Sequence, residues 1–168
     1  SGNVTGTESY VGGLIGEERD YTVKDSSYII GSVSGKGYVG GLIGLVNGPT
    51  AQVLGSYSTQ SVTGTYDYIG GLIGFMDGAV GDSVTAQPTS RGSLHSYATG
   101  NITGRYDVGG LIGRLSSNGS LTNTYASGNV TADANFGGLI GYFSPGAQVT
   151  NSHFDMDGLT ITALTIAS

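Results

Sequence analysis

The 168-residue sequence has no cysteine, no tryptophan, two histidines and three prolines. Without cysteine there are no disulfides, no thiol nucleophile and no thiolate metal site. The prolines are too few, and the glycines too irregularly placed, for a collagen-type triple helix. Charge is scarce as well: charged residues make up 11% of the chain, with six basic and twelve acidic side chains giving a net charge of −6. A chain with so few cations has no basic patch for nucleic acid and no attraction to anionic lipid. No apolar run approaches the roughly 18 residues of a membrane span, so no membrane insertion is expected. The opening Ser1-Gly2-Asn3 carries neither a charged n-region nor an apolar h-region, so no signal peptide is expected in this sequence.

Glycine is abundant instead, at 32 residues, and 38% of the chain is apolar. The apolar content separates the sequence from disordered acidic chains. So much glycine also argues against helices, because each interior glycine costs a helix roughly 1 kcal/mol relative to alanine. The composition is that of a β-rich, turn-rich protein.

Internal repetition then organises the chain. Gly-Gly-Leu-Ile-Gly occurs five times, beginning at Gly12, Gly40, Gly70, Gly109 and Gly137, with separations of 28, 30, 39 and 28 residues. Each copy is preceded by a polar-apolar-polar triplet: Asn3-Val4-Thr5, Ser32-Val33-Ser34, Ser61-Val62-Thr63, Asn101-Ile102-Thr103 and Asn129-Val130-Thr131. A third motif carries an aromatic, in Ser27-Tyr28, Ser56-Tyr57, Ser96-Tyr97 and Thr124-Tyr125, with Ser152-His153-Phe154 in its place in the last copy. The long separation reflects an insertion between about residues 75 and 94, read as a loop from its Asp-Gly, Pro and Arg-Gly turn signals.

The triplets have the period-2 pattern of half-buried strands, and glycines bracket them. Three short strand-like runs per unit, with turns between them, predict one coil of a solenoid. The expected fold is all-β: a right-handed parallel β-solenoid (β-helix) of about five coils, 28–30 residues per coil, forming a single domain over 1–168. Like residues then lie above like at a rise of about 4.8 Å. Propeller blades need about 40–50 residues each, so they rank below the solenoid. Whether the Leu or the Ile of each Gly-Gly-Leu-Ile-Gly faces the core stays open, because the double glycine permits either a corner or a bulge. The tail from about 155 to 168 alternates over Leu159 to Leu164 and reads as a final strand, either a cap or the start of another domain.

The units resemble the GLUG repeat, on the cores Gly13-Leu14-Ile15-Gly16, Gly41-Leu42-Ile43-Gly44, Gly71-Leu72-Ile73-Gly74, Gly110-Leu111-Ile112-Gly113 and Gly138-Leu139-Ile140-Gly141, and on the lead-in Tyr97 to Gly104. The resemblance implies a repeat region of bacterial cell-surface or secreted proteins, among them adhesins and IgA-cleaving metallopeptidases whose chemistry lies in a separate domain with His-Glu-x-x-His. This chain has only His95 and His153, so the expectation is a non-catalytic segment of an extracellular or cell-surface adhesin, acting in adhesion or as a stalk. Its expected partners are a host or surface glycan or protein, or neighbouring domains of a longer chain.

Two residue sets are candidates for binding. The column Thr5, Ser34, Thr63, Thr103 and Thr131, with the Asn/Ser column two positions earlier, would form a flat hydroxyl and amide face. The bland reading is that such residues suit an exposed strand; the alternative is an array for glycan or ice. The second set is Tyr10, Tyr38 and Tyr68, whose column turns polar at Asp107 and Asn135 and is therefore expected to be exposed at least in part. The tyrosines of the third motif are expected to stack within or near the core. Asp155-Met156-Asp157-Gly158 opens like a calcium loop but lacks the later ligands, so no cofactor is expected.

Overall fold

A computed structural model describes residues 2–28, 30–81, 96–156 and 160–163. Among these there is no helix; the chain winds as a β-solenoid of about five turns, each stacked in parallel register on the next. Four sheets line it, one more than the three runs per unit in the sequence imply. The first contains the triplets Val4–Thr5, Ser32–Gly35, Ser61–Gly64, Ile102–Thr103 and Val130–Ala132, followed by Ile161–Ala163. The second holds Val11–Gly12, Val39–Gly40, Asp67–Gly70, Tyr106–Gly109 and Ala134–Gly137. The third begins at the Ile of each Gly-Gly-Leu-Ile-Gly and is the extra one. It includes Ile43–Leu54 and Ile73–Gly81, long strands that the other coils break in two. The fourth carries Ser27–Tyr28, Tyr57–Ser58, Ser96–Ala98, Thr124–Ala126 and His153–Phe154.

The apolar residue of every triplet points inward and pairs with its own kind: Val4, Val33, Val62, Ile102 and Val130 form one continuous column. Ile161 pairs next to Val130, so Thr160-Ile161-Thr162 is a sixth rung of the same sheet and the tail extends the array.

The Gly-Gly-Leu-Ile-Gly corner resolves the question of which side chain is buried. Leu42, Ile43, Leu72, Ile73, Leu111 and Ile112 are all fully buried. The backbone shows why. The N–H groups of Leu72 and Ile73 both donate to the one carbonyl of Leu111, at 2.9 and 3.1 Å, and the same fork recurs between the other coils. Two residues facing one partner make a bulge, and the bulge turns successive side chains to the same side.

Two features depart from the sequence reading and a third lies outside it. The insertion expected from residue 75 begins later, because Phe75 to Gly81 pair with neighbouring coils; residues 82–95, including His95, lie outside the described residues. Tyr28 does not join the tyrosine column. Pairing of Val23 with Val53 across the preceding corner sets the offset, so Ser27 faces Tyr57 and Tyr28 faces Ser58. Tyr28 therefore points inward, where Ser58, Ala98 and Ala126 leave room for its ring against Gly13, and its hydroxyl donates to the Gly2 carbonyl. Finally, Glu18 occupies a column that holds Val46, Met76 and Leu115 in the following coils. Burial pushes its carboxyl above the ordinary range, although one oxygen accepts the Tyr21 N–H.

Candidate binding surface

The expected hydroxyl column stands outward as a ladder. Thr5, Thr63 and Thr103 are exposed, Ser34 and Thr131 half-buried, and register pairs each with the next. The column two positions earlier is engaged along the axis. The Asn3 side-chain oxygen accepts the Ser32 N–H at 3.1 Å, that of Asn101 the Asn129 N–H at 3.0 Å, and that of Asn129 the Thr160 N–H at 2.9 Å. These amides staple one coil to the next. Asn101→Ala is expected to destabilise the chain by about 1 kcal/mol, the net worth of a hydrogen bond of this kind, while Asn101→Asp keeps the acceptor and most of the stability. Denaturant melts of the two variants check this.

A second polar ladder escaped the sequence reading. Ser56 and Ser96 are fully buried. The Ser26 N–H donates to Ser56 Oγ and the Ser56 N–H to Ser96 Oγ, each at 3.2 Å, while Ser56 Oγ donates to the Leu54 carbonyl at 2.9 Å. Its signal in the sequence was the Ser or Thr before Tyr57, Tyr97, Tyr125 and His153, whereas in the first coil the matching residue is Ser26, two positions before Tyr28. Outside it, Tyr57 and Tyr97 stack face to face at 4.8 Å and Tyr125 leans on His153 at 5.2 Å. Tyr97, Tyr125 and His153 border a groove of about 420 Å³ together with Asn123 and Asn151. Asp155, the first residue of the calcium-like segment, accepts the Tyr125 hydroxyl at 3.4 Å; Asp157 lies outside the described residues.

The strongest departure from regular solenoid chemistry is at the corner between the second and third sheets. Tyr10, Tyr38, Tyr68, Asp107 and Asn135 all have left-handed backbone, with φ of 64°, 51°, 64°, 51° and 51°. Asp and Asn tolerate that region; a tyrosine there costs about 1–3 kcal/mol. The glycine that ends each Gly-Gly-Leu-Ile-Gly makes room for this bend: a Cβ on Gly74 would come within 2.7 Å of the Tyr68 carbonyl oxygen.

Next to this column runs another, formed by Glu17, Leu45, Phe75, Arg114 and Tyr142 in mutual register. Side chains of the two columns meet at this corner, where Leu45 and Asp107 are buried and the rest are partly exposed or exposed. The Tyr38 ring lies 4.9 Å from Tyr10, 4.6 Å from Tyr68 and 5.9 Å from Phe75. The Arg114 guanidinium sits 5.6 Å from the Tyr68 ring and 4.4 Å from the Tyr142 ring. It reaches Asp107 at 3.5 Å, and Asn135 donates to the other Asp107 oxygen at 2.9 Å. Burial raises the Asp107 carboxyl above its ordinary value, with Asn135 and Arg114 pulling the other way. Burial likewise raises the Tyr38 phenol, helped by Tyr68 and Tyr10. Despite these contacts Tyr10 remains 47% exposed. The three tyrosines named from the sequence thus come together; Phe75 and Arg114 join them from two strands of the third sheet, and Tyr142 of a further strand packs on Arg114.

Compared with known proteins, residues 104–131 match the family described as the GLUG motif. These residues span one coil, from the end of one triplet to the end of the next. No curated protein and no solved structure matches the chain.

Proposed function

This GLUG-motif repeat chain is, we propose, a non-catalytic segment of a bacterial cell-surface or secreted adhesin, acting in adhesion or as a structural stalk. One observation carries the reading: its polar side chains run in columns along the axis and bond coil to coil, as in the Asn3, Asn101 and Asn129 staples and the buried Ser56–Ser96 ladder. Such a body is a rod whose length and stability grow with each added coil. It sets lateral surfaces at fixed spacing and holds whatever adjoins it at a distance. Its partners are a host or surface glycan or protein, or neighbouring domains, and its setting is extracellular.

Bead retention under flow is the test. Particles coated with the chain are expected to stay on eukaryotic or bacterial cell layers longer than particles coated with an unrelated β-solenoid. For the stalk, a further copy of residues 104–131, inserted between a surface anchor and a display domain, lengthens the reach by about 4.8 Å. Retention at the control level together with unchanged reach would remove the proposal.

A further inference from the structure

We infer that Tyr57 and Tyr97 form an oxidative cross-linking site, at which the two rings couple into dityrosine and tie together the chain on either side of residues 82–95.

Geometry singles out this pair. Tyr57 and Tyr97 face each other in register on neighbouring strands of the fourth sheet. Their rings lie 4.8 Å apart and 7° from parallel, the flattest aromatic contact among the described residues. The other ring pairs are tilted or edge-on, at 44° to 77°. The stack also stops at two members. Tyr28 sits opposite Ser58 and turns inward, and Tyr125, although in register with Tyr97, leans on His153. Both rings of the pair are half-buried, so a small oxidant reaches them, and Tyr97 borders the groove, which gives its ring room to pivot. Holding the reactants side by side replaces the encounter of two separate molecules.

Composition directs oxidation to tyrosine. Cysteine and tryptophan, which would intercept an oxidant, are absent, while eleven tyrosines are present. Met76 is fully buried, and the exposed Met156 takes up an oxygen atom as a sulfoxide and forms no cross-link. In the coupling, each phenol gives up one electron and its hydroxyl proton and becomes a phenoxyl radical. The radicals join through a new C–C bond between ring carbons adjacent to the C–O carbons. The hydrogen on each joined carbon then moves to the phenol oxygen, which restores both rings. Two electrons and two protons leave in all. Hydrogen peroxide accepts them, through a haem peroxidase, and becomes two molecules of water.

The bond falls where a brace has most effect. Tyr57 and Tyr97 bracket the longest repeat connection, and the short ladder that rejoins the chain there is Tyr57 with Tyr97 and Ser58 with Ala98, next to the Ser56 N–H bond to Ser96 Oγ. A covalent tie closes that long loop in the unfolded chain too, which stabilises the fold more the longer the loop. Without cysteine, no disulfide serves this purpose.

The test treats the whole chain with a haem peroxidase and hydrogen peroxide, and separately with persulfate and a photo-excited ruthenium complex, which is small enough to need no docking. Dityrosine fluorescence is expected in the monomer fraction, with a mass lower by two hydrogens and a raised melting temperature. Trypsin acting on the denatured product is expected to release peptides 37–91 and 92–105 joined, and Tyr97 is the one tyrosine of the second. Tyr57→Phe and Tyr97→Phe keep two rings in the stack but are expected to lose both the joined peptides and the rise in melting temperature, whereas Tyr125→Phe keeps both. Dityrosine confined to dimers, a link confined to peptide 37–91, joined peptides that survive Tyr57→Phe, a link with no rise in melting temperature, or no dityrosine with either oxidant would each overturn the inference.

Discussion

Gly71→Ala is expected to lower the stability of the solenoid by about 3 kcal/mol or more, enough to unfold a chain of ordinary marginal stability. On backbone grounds alone the change should help: replacing glycine reduces the freedom of the unfolded chain and stabilises by about 0.4–1 kcal/mol where the site tolerates it. This site does not tolerate it. A Cβ on Gly71 would press into the Gly110 carbonyl oxygen of the next coil and lie 2.8 Å from the Ala98 Cβ. The carbonyl belongs to a backbone held in register on both sides, so it cannot swing away as a flexible side chain would. Relief requires separating two coils, which stretches the Gly71 N–H bond to Gly109 and the Leu72 and Ile73 fork to Leu111. Gly37→Ala is the control. Its Cβ would find the Asp67 carbonyl at 3.2 Å and nothing else nearer than 3.6 Å, so a shift of a few tenths of an ångström absorbs it. Guanidinium melts of the two variants should differ by about 2 kcal/mol or more; equal stabilities would show that coil spacing is not set by these glycines.

The same geometry explains what could be read from the sequence and what could not. The triplet column and the Gly-Gly-Leu-Ile-Gly corner were legible because every coil repeats them, and a ladder demands repetition. That both Leu and Ile turn inward was not legible, because it depends on one carbonyl accepting two N–H groups from the neighbouring coil, a contact between units. Tyr28 was misplaced by matching tyrosine to tyrosine. The register is handed on from Val23 and Val53, and it puts Tyr28 one step away, on the inner face. Thr160-Ile161-Thr162 was overlooked as a triplet because no Gly-Gly-Leu-Ile-Gly follows it, although its hydrogen bonds to Asn129 and Val130 repeat those of earlier rungs. The partial exposure of the Tyr10, Tyr38 and Tyr68 column agrees with its turn to polar residues, but the inference from polarity fails at Asp107, which is buried against Asn135 and Arg114. The column's left-handed backbone and its neighbours Phe75 and Arg114 were not readable, since tyrosine does not signal that backbone and the neighbours lie across a corner.

Identical motifs need not have identical weight, and Leu111→Ala against Leu14→Ala measures the difference. Both leucines occupy the same place in Gly-Gly-Leu-Ile-Gly. Leu111 is fully buried, whereas Leu14 is 54% exposed. The physical reason is position in the stack. Leu111 has a coil on each side, with Leu72 and Leu139 joined to it through the backbone fork, and its side chain fills space that neither neighbour can close. Leu14 bonds to Leu42 on one side only and keeps half its surface in water. Truncating Leu111 removes buried methyl groups and leaves a cavity walled by paired backbones that relax little, at an expected cost of about 3–5 kcal/mol. Truncating Leu14 removes surface that was already half hydrated, at an expected cost within about 1 kcal/mol. In a linear array each coil contributes its own stability and its interfaces with neighbours, so the central lesion should divide the cooperative unit while the terminal one only frays it. Hydrogen exchange separates these outcomes: Leu111→Ala is expected to lower protection on both sides of its coil, and Leu14→Ala only within the first coil. Equal losses would mean that burial in this solenoid is set within each repeat and owes nothing to stacking.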